Sequence, residues 1–212
     1  SVKRQTGFLT PKFSSQTTNS YLSLPYFIAI SENSDFTFSP RLYSNSKNLY
    51  RGEYRHLTKK SSHFFDLGIK NNDFFITGKN SSDTHFFYNS TIKPSFNYFD
   101  TSELNIKLQS VSDEKYLKTH DVRSPIIDSQ TSLSSNIEFT GFNNDLELSL
   151  SAEVYEDLSK TNDNDRYEYI FPNFNLNKNI NTNLNGQLEL NSLGYYKLFD
   201  TNINEKVLVN NL

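Results

Sequence analysis

The sequence predicts an all-β fold of antiparallel strands, each long enough to cross a membrane as part of a β-barrel. The first observation is the stretch 145–155, DLELSLSAEVY. Leu146, Leu148, Leu150, Ala152 and Val154 alternate with Glu147, Ser149, Ser151 and Glu153. Successive side chains of a strand point to opposite faces, so this segment has one apolar and one polar face. The second is its length, which matches the roughly 9–11 residues of a tilted membrane-crossing strand. The third is that the alternation recurs along the chain with short polar turns between, the pattern of an apolar lipid face around a wet lumen.

The composition agrees. Of 212 residues 35% are hydrophobic, with 18 Phe and 13 Tyr, so the chain is poor in aliphatic residues but rich in aromatics. A disordered chain lacks such aromatics. A barrel needs apolar residues on one face only and concentrates aromatics at the two interfaces. The net charge of −3 and the absence of a basic block argue against a nucleic-acid partner. No run of 18 apolar residues marks a transmembrane helix. Without Cys the chain forms no disulfide and no thiolate metal site. With no Met and no export signal, a membrane strand set is expected to be a segment of a longer protein.

Taken in order, residues 1–18 are polar, broken by Pro11, and read as an extended lead-in. Strands are expected at 20–31, 34–44, 47–58, 62–71, 83–93, 101–112, 129–141, 145–157, 166–176 and 183–198, about ten in all. Turns fall at Glu32-Asn33-Ser34, Asn45-Ser46, Lys59-Lys60-Ser61 and Asn143-Asn144, and longer links at 72–82, 113–128 and 158–165. Alternating short and long links suit periplasmic turns and outer loops. Phe36, Phe38 and Leu42 oppose Thr37, Ser39 and Arg41. Leu104, Ile106 and Leu108 oppose Asn105, Lys107 and Gln109; Leu133, Ile137 and Phe139 oppose Ser134, Asn136 and Glu138. A soluble sandwich would alternate in the same way, but ten strands without a second apolar layer suit lipid better.

Five stretches, in order, resemble the lipopolysaccharide-assembly family LptD, also called Imp or OstA. They are KRQTGFLTPKF (3–13), LPYFIAISENSDFTFSPRLYS (24–44), LYRGEYRHL (49–57), SVSDEKYL (110–117) and RYEYIFPNFNL (166–176). The resemblance implies that 1–18 leads in from a periplasmic jellyroll domain and that 19–212 are the first strands of a much larger barrel, not closed on their own. It implies a Gram-negative outer-membrane protein without enzymatic chemistry, which inserts lipopolysaccharide into the outer leaflet through a laterally opening barrel. The partners implied are lipopolysaccharide, an LptE-like plug lipoprotein and an LptA-like periplasmic bridge. Rival readings are another large barrel, such as a porin or a TonB-dependent receptor, and a secreted glycan-binding β-sandwich.

Pro25 and Pro40 stand out because proline donates no ladder hydrogen bond and avoids strand interiors. They mark either an edge strand or bulge, or, by the resemblance, the weak lateral gate. Asp35 matches a family acid, or is a turn residue capping neighbouring amides. Arg41, Arg51, Glu53 and Arg55 fall on strand positions facing the lumen, where charge is ordinary. Tyr21, Tyr26, Phe27, Tyr50 and Tyr54 read as interface aromatics. His56, His63, His85 and His120 are scattered without metal spacing, and no GxSxG, GxxxxGK[ST] or GxGxxG motif occurs. No catalytic residue, metal or cofactor is expected.

Overall fold

The computed structural model describes residues 4–15, 20–44, 48–71, 82–160, 163–182, 186, 188–199 and 203–211. The loop expected over 72–82 and the turn at Asn45-Ser46 lie almost wholly outside them. Fourteen strands form: β1 (Gly7–Phe8), β2 (Lys12–Ser14), β3 (Tyr21–Ser23), β4 (Tyr26–Ala29), β5 (Ser34–Tyr43), β6 (Leu49–Leu57), β7 (Ser61–Asn71), β8 (Ser82–Ile92), β9 (Thr101–Val111), β10 (Ser132–Asn143), β11 (Leu146–Asp157), β12 (Tyr167–Ile180), β13 (Leu188–Phe199) and β14 (Ile203–Asn211). Two single-turn helices, α1 (Tyr116–Thr119) and α2 (Asp163–Arg166), complete the elements.

The chain divides into two compact units, 1–89 with 109–126, and 90–108 with 127–212. In the first, the order β1-β4-β5-β6-β7-β8 is a meander, with β3 continuing β4 alongside β5 and β2 beside β3. In the second, β9 to β14 follow one another in sequence order. Every strand pairing described is antiparallel, as hairpin connections require. Among the described residues no pairing joins the end strands of either unit, so the all-β fold is not a closed barrel, as the sequence led one to expect.

Four strands exceed the expected ten. The expected strand 20–31 is interrupted at Leu24-Pro25 and becomes β3 and β4. The lead-in contributes β1 and β2, which pair on β4 and β3. β14 was missed because Lys206-Val207-Leu208-Val209 puts apolar residues on both faces and hides the period of two.

The register sorts the side chains. In the second unit one apolar row crosses Leu104, Phe139, Leu150 and Phe174, and then meets Gly194 and Leu208. The next row, on the opposite face, crosses Glu103, Thr140, Ser149 and Asn175. In the first unit Phe38, Gly52 and Leu67 share one face, and Thr37, Glu53 and Asp66 share the other. The apolar face stays open: Phe38, Leu42, Tyr50, Leu67, Ile69 and Phe86 are each 37–48% exposed. A contiguous apolar face of this kind needs a cover of lipid or protein.

Candidate functional site

The polar face of the first unit holds a buried charge cluster. Arg51 on β6 donates from Nε and Nη2 to the two carboxylate oxygens of Asp66 on β7, at 2.7 and 2.6 Å. Asp66 is fully buried. Arg51 also lies 3.0 Å from Glu53. His85 on β8 reaches Asp66 through Nε2 at 3.0 Å and the Tyr116 hydroxyl through Nδ1 at 2.9 Å. One tautomer satisfies both contacts: Nδ1 accepts from the phenol and Nε2–H donates to the carboxylate. Burial pushes the Tyr116 phenol up, which keeps its proton in place for that bond.

Gly68 makes the arrangement possible. It sits opposite Arg51 on the same face, between the β6 and β8 side chains. A Cβ there would lie 2.2 Å from the His85 ring and 2.9 Å from the Tyr116 hydroxyl. Any larger residue would drive the imidazole off Asp66.

Tyr116 belongs to the connection after β9, which folds back over this face instead of extending away. It contains α1 and ends it with an αL cap. Asp121 has φ 42°, the Asp121 N–H donates to the Lys118 carbonyl at 3.3 Å, and the Val122 N–H donates to Leu117 at 3.0 Å. This is the paired bonding of a Schellman cap, with its usual apolar contact supplied by Leu117 and Val122, both fully buried. Arg41 on β5 donates to the carbonyls of His120 and Asp121. Gln109 donates to the Ile126 carbonyl at 2.8 Å. Tyr116, Leu117, Val122 and Ile126 are all buried, so 112–126 acts as a docked plug over the polar side of the first unit, against Arg41 of β5 and His85 of β8.

His120 stacks edge-on against Tyr116 at 4.9 Å and faces Asp83 at 3.5 Å. Burial first, then the charges of Lys70 and Arg41, outweigh Asp83 and hold its pKa below the ordinary value. The undocked loop therefore takes up a proton near pH 6.5 that the docked loop refuses. Docking is at full strength above about pH 6.5 and weakens as the pH falls below it. The protection factors of 112–126, the intrinsic exchange rate divided by the observed one at each pH, are expected to fall between pH 7.5 and 5.5, and His120→Gln to remove that fall. Unchanged protection across this range would refute the assignment.

Asp35, Arg41, Arg51, Glu53 and Arg55 all fall on this one face. Asp35 accepts from Arg4 at 2.7 Å and from Arg55 at 2.6 Å, while Arg55 also donates to Thr37 at 2.7 Å. The neighbouring turn is closed by the Ser34 carbonyl, which accepts from Ile30 and Ser31. Tyr26, Tyr50 and Tyr54 take the opposite, open face, and Tyr21 and Phe27 the charged one. Of the scattered histidines, His85 and His120 meet at Tyr116, whereas His56 and His63 stack with each other on the apolar face, ring centroids 6.0 Å apart. The sequence reading missed Asp66, His85 and Tyr116. The available signal was the apolar set Tyr116, Leu117, Val122, Ile126 and Ile127 inside an otherwise polar link.

The two prolines lie one step apart on adjacent strands. The β3–β5 and β4–β5 pairings keep the same register on both sides of the gap, which places Pro40 opposite Leu24. Leu24 N–H donates to the Pro40 carbonyl at 3.3 Å, and proline returns no donor. Pro25 faces the other neighbour, accepting from Leu9 N–H at 2.9 Å. There the β1–β4 and β2–β3 registers differ by one residue, with Pro11 in the gap. Each proline thus removes one ladder donor, on opposite sides of the same strand.

No family model matches the chain. It is similar to proteins named LPS-assembly protein LptD. That of Shewanella sp. strain ANA-3 is 39% identical over 92 residues, 42% of this chain and 12% of the relative. That of Idiomarina loihiensis is 30% identical over 117 residues, 54% of this chain and 14% of the relative. That of Pseudomonas fluorescens Pf-5 is 36% identical over 72 residues, 34% of this chain and 8% of the relative. The chain thus spans a small fraction of the length of the relatives it matches. A solved chain from work on in-meso crystallisation of membrane proteins matches at TM-score 0.25 and 12% identity, too low to carry an argument.

Proposed function

We propose that this chain forms the first strands of an LptD-like outer-membrane barrel, which passes lipopolysaccharide to the outer leaflet and performs no enzymatic chemistry. The observation that carries the reading is the two-faced sheet, with its open apolar face opposite a charged, hydrogen-bonded one, in a chain similar to LPS-assembly proteins. The lead-in 1–18 would join a periplasmic domain, and β1 and β2 would sit at the barrel seam. An LptA-like bridge would deliver substrate, and an LptE-like lipoprotein would occupy the lumen onto which Asp35, Arg41, Arg51, Glu53 and Arg55 face. The test is replacement of the chromosomal gene by a repressible full-length copy. Depletion should stop newly made lipopolysaccharide from reaching the surface while it accumulates inside; normal surface delivery after depletion rules the function out.

On this reading Pro25 and Pro40 set how easily the seam opens. Val at position 40 regains an N–H for the Leu24 carbonyl, and Val at 25 regains one for Leu9. Each restored bond contributes about 1 kcal/mol. The expected outcome for Pro40→Val is a barrel at least as stable, with an open population lowered roughly fivefold and slower surface delivery. Melting and delivery are measured together on the full-length protein. Earlier melting would make the prolines structural, and unchanged delivery would leave them ordinary edge residues.

A further inference from the structure

We propose that β12–β14 carry, on their apolar face, a binding site for an anionic phospholipid. The apolar row of the second unit runs Leu104, Phe139, Leu150 and Phe174, and then loses its side chain at Gly194 before resuming at Leu208. Gly194 is buried beneath the Phe174 ring. A Cβ there would sit 3.0 Å from that ring and 2.8 Å from the Val207 carbonyl, so the Phe174 ring lies in the place a side chain would take and forms part of the groove wall. Beside it the β12 register shifts between Ile170 and Asn173, at Pro172. The result is a groove of about 340 Å³ whose lining includes Pro172, Phe174, Tyr196, Lys206 and Leu208, with Tyr195 and Val207 between them along the strands. That lies within the roughly 300–1,000 Å³ of small-ligand sites.

The rim of this groove carries a cation. Lys206 pairs in register with Tyr196, and its Nζ lies 5.2 Å from the Tyr196 ring centroid. Among the described residues no carboxylate pairs with it. Lys197 differs: it lies on the opposite face with its Nζ 2.8 Å from Glu168. A lysine in an apolar row that faces lipid is costly unless it reaches the interface or finds an anion there. Lys206 is the fourth of the nine residues of β14, one step from its centre, so its ammonium needs either its flexible stem or an anion to offset the apolar surroundings. An apolar trough with an unpaired ammonium at its rim matches an acyl chain whose head group carries a net negative charge. It fits neither a sugar, which would need several polar groups in the trough, nor a second sheet, which would leave the ammonium buried.

The site rests on the membrane reading above, and the test separates the two. The full-length protein, purified in mild detergent, is offered equal amounts of phosphatidylglycerol and phosphatidylcholine of the same chain length, and retained lipid is counted by native mass spectrometry. The expected result is a preference of about fivefold for the anionic lipid, the effect of one lysine near an anionic surface. Lys206→Gln should abolish the preference, while Lys206→Arg and Lys197→Gln should keep it. Equal retention of the two lipids by the unaltered protein, or a preference that survives Lys206→Gln, overturns the site and leaves the barrel standing. A full-length protein that stays folded and monodisperse without detergent overturns the barrel and the site together.

Discussion

Asp66→Ala is expected to undock the 112–126 plug and to destabilise the first unit by about 3–5 kcal/mol, the cost of breaking a buried ion pair by removing one partner. Arg51 keeps only 8% of its surface in solvent and loses both bonds of its bidentate pair. Glu53 at 3.0 Å still offers it a carboxylate, which places the effect at the lower end of that range. His85 loses the acceptor that orients its ring, and with it the geometry that holds the Tyr116 hydroxyl. In the full-length protein the readouts are a lower melting temperature and new protease cleavage within 112–126. Asp66→Asn keeps the shape and one acceptor and should fall between. The pair Arg51→Met with Asp66→Leu removes both charges together and should recover part of the loss, because Arg51 is no longer orphaned, while the buried His85 N–H still lacks its acceptor. A single Asp66→Ala that melts like the parent would show that the cluster holds nothing.

How much of this was visible beforehand depends on the range of the interaction. Strand positions from 34 to 157 were legible within three residues, because a side-chain period of two is written locally in residues such as Phe36-Thr37-Phe38 and Leu148-Ser149-Leu150. The face of Arg51, Glu53 and Arg55 followed from the same alternation. The plug was not legible. Its docking depends on Gly68 being small, on Asp66 and His85 arriving from separate hairpins, and on Asp121 taking an αL conformation that Asp adopts only sometimes. None of these leaves a periodic trace. β1 and β2 were hidden for another reason: two- and three-residue strands separated by Pro11 are too short to show alternation, and they form because β3 and β4 offer them an edge.

Leu150→Arg should cost the assembled full-length barrel about 2–4 kcal/mol, the penalty for a cation at the lipid face near the bilayer midplane. Leu150 lies near the centre of β11, is 43% exposed, and is flanked in register by Phe139 and Phe174. Nothing on that row offers an anion. Ser149→Arg adds the same side chain one residue away, on the opposite face. There the Ser149 hydroxyl already lies 3.5 Å from a Glu138 carboxylate oxygen, and Asn175 is its register partner. A guanidinium at 149 can pair with that carboxylate in a wet environment, so the expected change is within about 0.5 kcal/mol. The comparison uses urea unfolding of the full-length protein in lipid vesicles, and oxygen accessibility of spin labels at the two positions. Both substitutions install the same guanidinium one residue apart, and Leu150→Ala measures the cost of losing the leucine itself, so the remaining difference reports which face meets lipid. Equal costs at the two sites would mean that both faces of β11 are covered by protein, as in a sandwich, and higher oxygen exposure at 149 than at 150 would mean that the polar face, not the apolar one, meets lipid.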